Sequence, residues 1–219
     1  MNTVNQFFAQ IYKWMAVGVL LSAFSAYLTM TTSLAGVLQN PVIFYGMVAI
    51  QIGICLGMQW MINRISPAMA FNLYLVYALL NGVVMSGLLA FYLTQSASTV
   101  LVVFISAASM FALLAFIGFT TKKDISGWGT FLIAGMWGVF FSSILNIFLQ
   151  NSVFDIIISA VALLVFAGLT VYDNQYYKNL FVHLHSEDEK NKAVTLGALH
   201  MYINFIMIFQ SLLRLVNSR

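Results

Sequence analysis

Charge is confined in this chain to short breaks between long apolar runs, and few structures are open to such a pattern. Seven runs, at about 14–31, 42–62, 68–93, 99–120, 128–150, 153–172 and 194–216, alternate with brief polar punctuation. Crossing the hydrocarbon core of a bilayer takes ~20 helical residues, and each run is near that length. Only 7% of the residues are charged and 62% are apolar, against roughly 25% and 45–50% in a soluble domain. With a mean hydropathy of +0.94, the chain has too little polar surface to be covered by water. The pattern predicts an all-α polytopic membrane protein, with residues 1–219 forming a single seven-span transmembrane domain and no soluble domain.

The punctuation also predicts orientation. Lys13, Arg64, Lys122, Lys123, Lys178, Lys190 and Lys192 fall on the side of the N-terminus, and the three loops of the other side hold no Lys or Arg. By the positive-inside rule the N-terminus is cytoplasmic. The C-terminus, with Arg219, is then external provided the last run crosses. Lys13 precedes a run too long for a signal-peptide core, and no small-residue cleavage site follows, so the first run reads as a retained span. The last run carries His200, Asn204, Gln210 and Arg214. It is too polar to face lipid, which predicts a C-terminal helix central in the bundle. Trp14, Trp60 and Trp128 mark span ends, where indoles favour the interface. Gly53 and Gly57, Gly82 and Ser86, and Gly138 and Ser142 have the four-residue spacing that lets helices approach closely. Cys55 is the single cysteine, so no intrachain disulfide forms, and it reads as a small buried hydrophobe.

An acid in or beside a span is costly and points to function. Asp173 closes the sixth run, and Asp155 lies eighteen residues before it. That spacing is five whole turns, so both acids share one helix face about 27 Å apart. The face reads either as a file for cations or as two interfacial residues, with Asp155 the acid of the outer side. The seventh run starts from the side where Asp173 sits, and His200 and Asn204 share one of its faces. They can meet Asp173 if the intervening loop folds back. Arg64 ends the second run on the same side and is a further candidate partner, whereas Arg214 lies toward the outer face and reads as snorkelling. His200 reads as an interhelical hydrogen-bonding group or a proton sensor. His183 and His185 flank Glu187, Asp188 and Glu189 in what reads as a long solvated loop, or one responsive to pH or cations. No nucleophile–base constellation, metalloprotease motif or phosphate-binding glycine loop occurs, so no enzymatic role and no cofactor are expected. The basic residues form no patch suited to nucleic acid.

Several stretches resemble a known family. They are Tyr12 to Ala26; Tyr77-Ala78-Leu79-Leu80-Asn81-Gly82 with Ser86; Thr120 to Ser126 with Asn146-Ile147-Phe148-Leu149; Leu169 to Gln175; and Leu196 to Ile206 with Leu212-Leu213-Arg214. In order and over nearly the whole chain, they are similar to the Bax inhibitor-1 (transmembrane Bax inhibitor motif) family, above all to its bacterial inner-membrane branch. The resemblance implies seven spans around a central last helix, and a pH-sensitive calcium leak. It further implies a gate of two proton-sharing aspartates, one ending span six and one in span seven, with a basic latch from span two. The first aspartate corresponds to Asp173, the gate and ion site, and Arg64 is at a suitable depth for the latch.

The second aspartate falls on Asn204, where the chain departs from the family pattern. Paired carboxylates share a proton over a range of pH, whereas an Asp–Asn pair keeps one anion and one amide. The amide offers Ca²⁺ a neutral oxygen in place of a charged one, so weaker ion affinity and weaker pH gating are expected, or gating through Asp173 with His200. Two functions stay open. One is a calcium leak channel gated around Asp173. The other is a non-conducting regulator that binds a membrane protease or another membrane protein. Lipid surrounds the protein in either case, and the sequence leaves the oligomeric state open.

Overall fold

A computed structural model describes residues 3–217; Arg219 lies outside them. The elements in order are α1 (Val4–Thr31), α2 (Leu34–Val37), α3 (Pro41–Met61), α4 (Pro67–Thr120), a 3-10 turn (Ser126–Trp128), α5 (Gly129–Leu149), α6 (Ser152–Phe181) and α7 (Glu187–Val216). Six of the helices are long and apolar enough to cross a membrane. The sequence pattern predicts seven runs. The count differs because the third and fourth runs lie in one 54-residue element, α4, interrupted at Ser96, whose backbone is extended (φ −164°, ψ 103°).

The helix ends follow local chemistry. Asn40 accepts from the Val42 amide at 3.0 Å ahead of Pro41, and Ser66 accepts from the Met69 amide at 3.2 Å ahead of Pro67. Both pairs place a capping side chain just before a proline in the first turn, where the missing N–H costs nothing. Three helices extend past the apolar runs. The first starts at Val4 rather than near residue 14, because Thr3 caps it through the Gln6 amide and Phe7, Phe8 and Ile11 are buried. The sixth continues to Phe181, and the seventh begins at Glu187 instead of near 194. The polar stretch 173–192, read as a long loop, is therefore mostly helix.

Contacts divide the chain into two compact units, Met1–Ala97 with His183–Tyr202, and Ser98–Val182 with Ile203–Arg219. The boundaries fall next to the break at Ser96, in the connection between α6 and α7, and within α7.

In the first unit, α1 buries Phe7, Ile11, Met15, Gly18, Ser22, Ser25 and Thr29, a stripe at three- and four-residue spacing that marks one helix face. Ser22 Oγ donates to the Ala78 carbonyl at 2.7 Å and lies 2.5 Å from the Tyr202 hydroxyl. Ser25 Oγ donates to the Leu79 carbonyl at 2.9 Å, and the Tyr74 hydroxyl donates to the Trp14 carbonyl at 2.7 Å. A Cβ added at Gly82 would collide with the Ser22 carbonyl oxygen and Ser25 Oγ, so this member of the small-residue pairs serves close packing. Gly53 and Gly57 have nothing within 4 Å of that position and do not. Cys55 is half-buried rather than buried, and accepts from Gln59 Nε2 at 3.6 Å.

In the second unit, α5 lies antiparallel along α6. Gly135 meets Val165, Leu132 meets Gly168, and Gly129 meets Tyr172, so residue numbers fall on one helix as they rise on the other. Gly138, also expected to pack closely, has open space. Phe104 and Phe111 of α4 meet Phe205 and Phe209 of α7 edge to face, at ring-centroid distances of 5.5 to 5.9 Å. The most apolar stretch of α7 is 67% buried, against 11–39% in the other long helices.

Candidate functional site

The polar end of α6 sorts its side chains into separate tasks. Thr170 Oγ1 donates to the Phe166 carbonyl and Asn174 Nδ2 to the Thr170 carbonyl, each at 2.7 Å. These bonds satisfy two buried polar groups within the helix itself. A Cβ at Gly118 of α4 would stand 2.5 Å from the Val171 carbonyl oxygen and 2.8 Å from Asn174 Cβ. Glycine thus lets α4 lie against α6 beside the polar motif. Gln175 turns to the loop after α4, accepting from the Ile125 amide at 2.8 Å and donating to the Lys123 carbonyl at 2.7 Å. Lys178 Nζ donates to the Phe119 carbonyl at 2.7 Å, placing its charge on a helix end whose last carbonyls lack intrahelical donors.

Asp173 is the member of this motif that reaches α7. Its Oδ2 accepts from Asn204 Nδ2 at 2.7 Å, with Asp173 8% and Asn204 3% exposed. The amide nitrogen has to face the carboxylate, since its oxygen would meet like charge. The Tyr172 and Tyr177 hydroxyls lie within electrostatic reach of Asp173. A carboxylate buried at a helix–helix contact keeps much of its desolvation cost unless a cation or proton arrives. For Ca²⁺, the oxygens of Asp173 and Asn204 would fill only part of a six- to eight-oxygen shell. Among the described residues no group of three or more His, Cys, Asp or Glu is arranged to hold a metal.

The other predicted residues lie elsewhere. Asp155 Oδ1 accepts from Arg214 Nη1 at 2.8 Å, each side chain about one-third exposed. Sequence reasoning set Arg214 aside as snorkelling, but both charges fall at the same end of two consecutive antiparallel runs, and that was the available signal. Arg64 stands exposed in the turn after α3, with no ion pair among the described residues. His200 is half-buried on α7, in the first unit.

His183 and His185 are exposed in a five-residue connection, 182–186. Ser186 and Glu189 form a reciprocal cap for α7. The Glu189 amide donates to Ser186 Oγ at 3.1 Å, and Glu189 Oε2 accepts from the Ser186 and His185 amides at 3.1 and 2.9 Å. This is a capping box, signalled by the Ser-x-x-Glu spacing. The Ser186 and then the His185 amide hold the Glu189 carboxyl below its usual range. Asp124, in the loop that Gln175 clamps, is held low by the Ser126 amide at 2.9 Å.

Comparison with known proteins finds relatives along nearly the whole chain. Residues 4–219 match the family described as "Inhibitor of apoptosis-promoting Bax1". The chain is 32% identical to inner membrane protein YbhL of Escherichia coli K12 over 222 residues, covering 99% of this chain and 93% of the relative. It is 33% identical to an uncharacterized protein of Borreliella burgdorferi over 218 residues, 98% and 93% of the two chains. An uncharacterized membrane protein of Streptococcus pyogenes serotype M3 is 35% identical over 216 residues, 97% and 92%. With apolar helices, a buried polar motif and matches along its whole length, the chain is an integral membrane protein that belongs to the Bax inhibitor-1 family.

Proposed function

We propose that this protein is a cation leak pathway of a bacterial inner membrane, that Ca²⁺ is its cargo, and that Asp173 with Asn204 forms its gate. The observation that carries the reading is the 2.7 Å contact between a buried carboxylate and a buried amide on two long apolar helices. An anion inside a membrane protein attracts cations and rejects anions. Arrival of a cation offsets the burial cost of Asp173, and displacing Asn204 opens the contact. The 54 residues of α4 measure about 80 Å at a helical rise, more than twice the ~30 Å hydrocarbon core. That length, with the break at Ser96, supports two crossings by α4 and hence seven spans. High burial along α7 supports its place at the centre of the bundle, and the distribution of basic residues supports a cytoplasmic N-terminus and a periplasmic C-terminus.

Asp173 with Asn204 resembles a half-protonated acid pair that cannot take up the second charge. Proton control of the leak is therefore weak, and what pH response exists falls to Asp173 or His200. The test is Ca²⁺ flux in proteoliposomes for the wild type and for Asn204→Asp. A shallow pH response in the wild type and a steep one in the variant are expected. Equal, steep responses would remove the argument from the pair.

A second reading rests on Asn204 itself. With the second acid replaced by an amide, the chain acts as a non-conducting regulator that binds a membrane protease or another membrane protein. Purified protein that passes no cation at any pH would favour it. Neither reading gives the protein catalytic chemistry or a bound cofactor.

A further inference from the structure

We propose that the cleft of about 550 Å³ lined by Asp124, Gly127, Trp128 and Phe131 holds the headgroup of a membrane phospholipid that joins a phosphate to a primary ammonium. The cleft lies within the second unit, where the loop after α4 turns into α5. Its walls supply a carboxylate, an indole and a phenyl ring, with bare backbone at Gly127, where nothing stands within 4 Å of an added Cβ.

The fold fixes these walls. Gln175 of α6 holds the loop at the Lys123 carbonyl and the Ile125 amide. Asp124 Oδ1 accepts from the Ser126 amide at 2.9 Å, and the Trp128 amide donates to the Ile125 carbonyl at 2.9 Å, closing the 3-10 turn. The Trp128 and Phe131 rings meet edge to face, with centroids 6.2 Å apart.

Charge selects the ligand. Lys122, Lys123 and Asp124 are consecutive and exposed, yet among the described residues none of them takes part in an ion pair. The loop therefore offers both signs at once, and a zwitterion answers both. An ammonium in the cleft meets the Asp124 carboxylate, kept ionised by the Ser126 amide, and the face of Trp128, a combination that favours an organic cation. A metal ion would find one carboxylate and two aromatic rings there, far short of six oxygens. Lys122 and Lys123, on flexible stems, are left for the phosphate.

Position selects a lipid over a soluble amine. The segment Ser126–Leu149 is long and apolar enough to cross a membrane, and Trp128 and Phe131 stand 61% and 69% exposed near its start. An exposed indole at the end of a span sits at headgroup level. A lipid phosphate ester reaches the cleft there while its acyl chains run past Phe131. The site does not rest on the role proposed for Asp173.

The test is lipid retention by the full chain, taken from mixed micelles with equal phosphatidylethanolamine, phosphatidylglycerol and phosphatidylcholine and read by native mass spectrometry. Preferential retention of phosphatidylethanolamine is expected. Asp124→Asn, whose amide oxygen still accepts from Ser126, and Trp128→Leu are each expected to lower that preference about 2–5-fold. Trp60→Leu removes another exposed indole at a helix end, one remote in sequence from any acid, and is expected to leave the preference unchanged. Equal retention of the three lipids by the unmutated protein would overturn the site. A preference that survives either substitution, or that falls as far in Trp60→Leu, would do the same. Soluble glycerophosphoethanolamine that displaces the lipid at equal concentration would also overturn it, by making the ligand a free amine ester. Should Trp128→Leu fail to fold, Asp124→Asn, which keeps the turn, decides.

Discussion

Asp173 and Asp155 share one helix and both have partners on α7, but the two contacts differ in kind. Asp173 is buried against the neutral amide of Asn204, whereas Asp155 meets the guanidinium of Arg214 at a site about one-third exposed. Charge is balanced where water or headgroups could have screened it, and left uncancelled by that contact where screening is weakest. For stability alone, the opposite arrangement would be the economical one. The difference teaches that the contact at Asp173 is the costlier of the two to hold, which supports the role proposed for it. The Asp155–Arg214 pair fastens α6 to α7 near the start of one and the end of the other.

The comparison can be broken by measuring each contact alone. The largest effect is expected for Asn204→Leu, which leaves the Asp173 carboxylate buried without its amide donor. A loss of about 1.5–3 kcal/mol is expected, a fall in Tm of roughly 3–12 °C. Thermal unfolding of the purified protein checks this, and a change within error would mean that Asp173 is already neutral or well solvated. Arg214→Met should cost only about 0.2–1 kcal/mol, with a difference from wild type that shrinks as salt is raised. A larger, salt-insensitive loss would make the outer pair the buried one in energetic terms and reverse the comparison.

A third carboxylate sharpens the contrast. Glu189 is solvent-exposed, and its pKa is depressed by the Ser186 and His185 amides it accepts from. Because the folded value is the lower one, its contribution is fully present above the unfolded value of 4.5 and is lost as pH falls through the folded value. Hydrogen exchange at the His185 and Ser186 amides, corrected for intrinsic rates, should therefore rise below that window. Unchanged protection would show that the cap does not depend on ionised Glu189. The effect is local and the smallest of the three.

The sequence exposed unequal parts of this arrangement. Asp173 and Asn204 were legible because an acid ended one run and an amide lay on a polar face of the next, at the same end. The same logic applied to Asp155 and Arg214, but the length and flexibility of arginine drew the reading toward snorkelling. Gln175 and Lys178 carried no such signal, since their partners are backbone groups at Lys123, Ile125 and Phe119, which no side-chain pattern reveals. Small residues misled for a related reason. Gly118, Gly129, Gly135 and Gly168 face another helix, whereas Gly53, Gly57 and Gly138 do not, and spacing alone says nothing of what lies opposite. The cap at Ser186 and Glu189 was present as a motif, hidden inside a stretch whose charge resembled a solvated loop.

The central claim is that the buried acid of α6 carries the cation and the partly exposed one does not. The direct measurement is Ca²⁺ flux through purified protein in proteoliposomes, with Asp173→Asn and Asp155→Asn compared at equal, verified incorporation. The expected result is loss of flux in Asp173→Asn and near wild-type flux in Asp155→Asn. Flux that persists in Asp173→Asn, or that is lost only in Asp155→Asn, would contradict it.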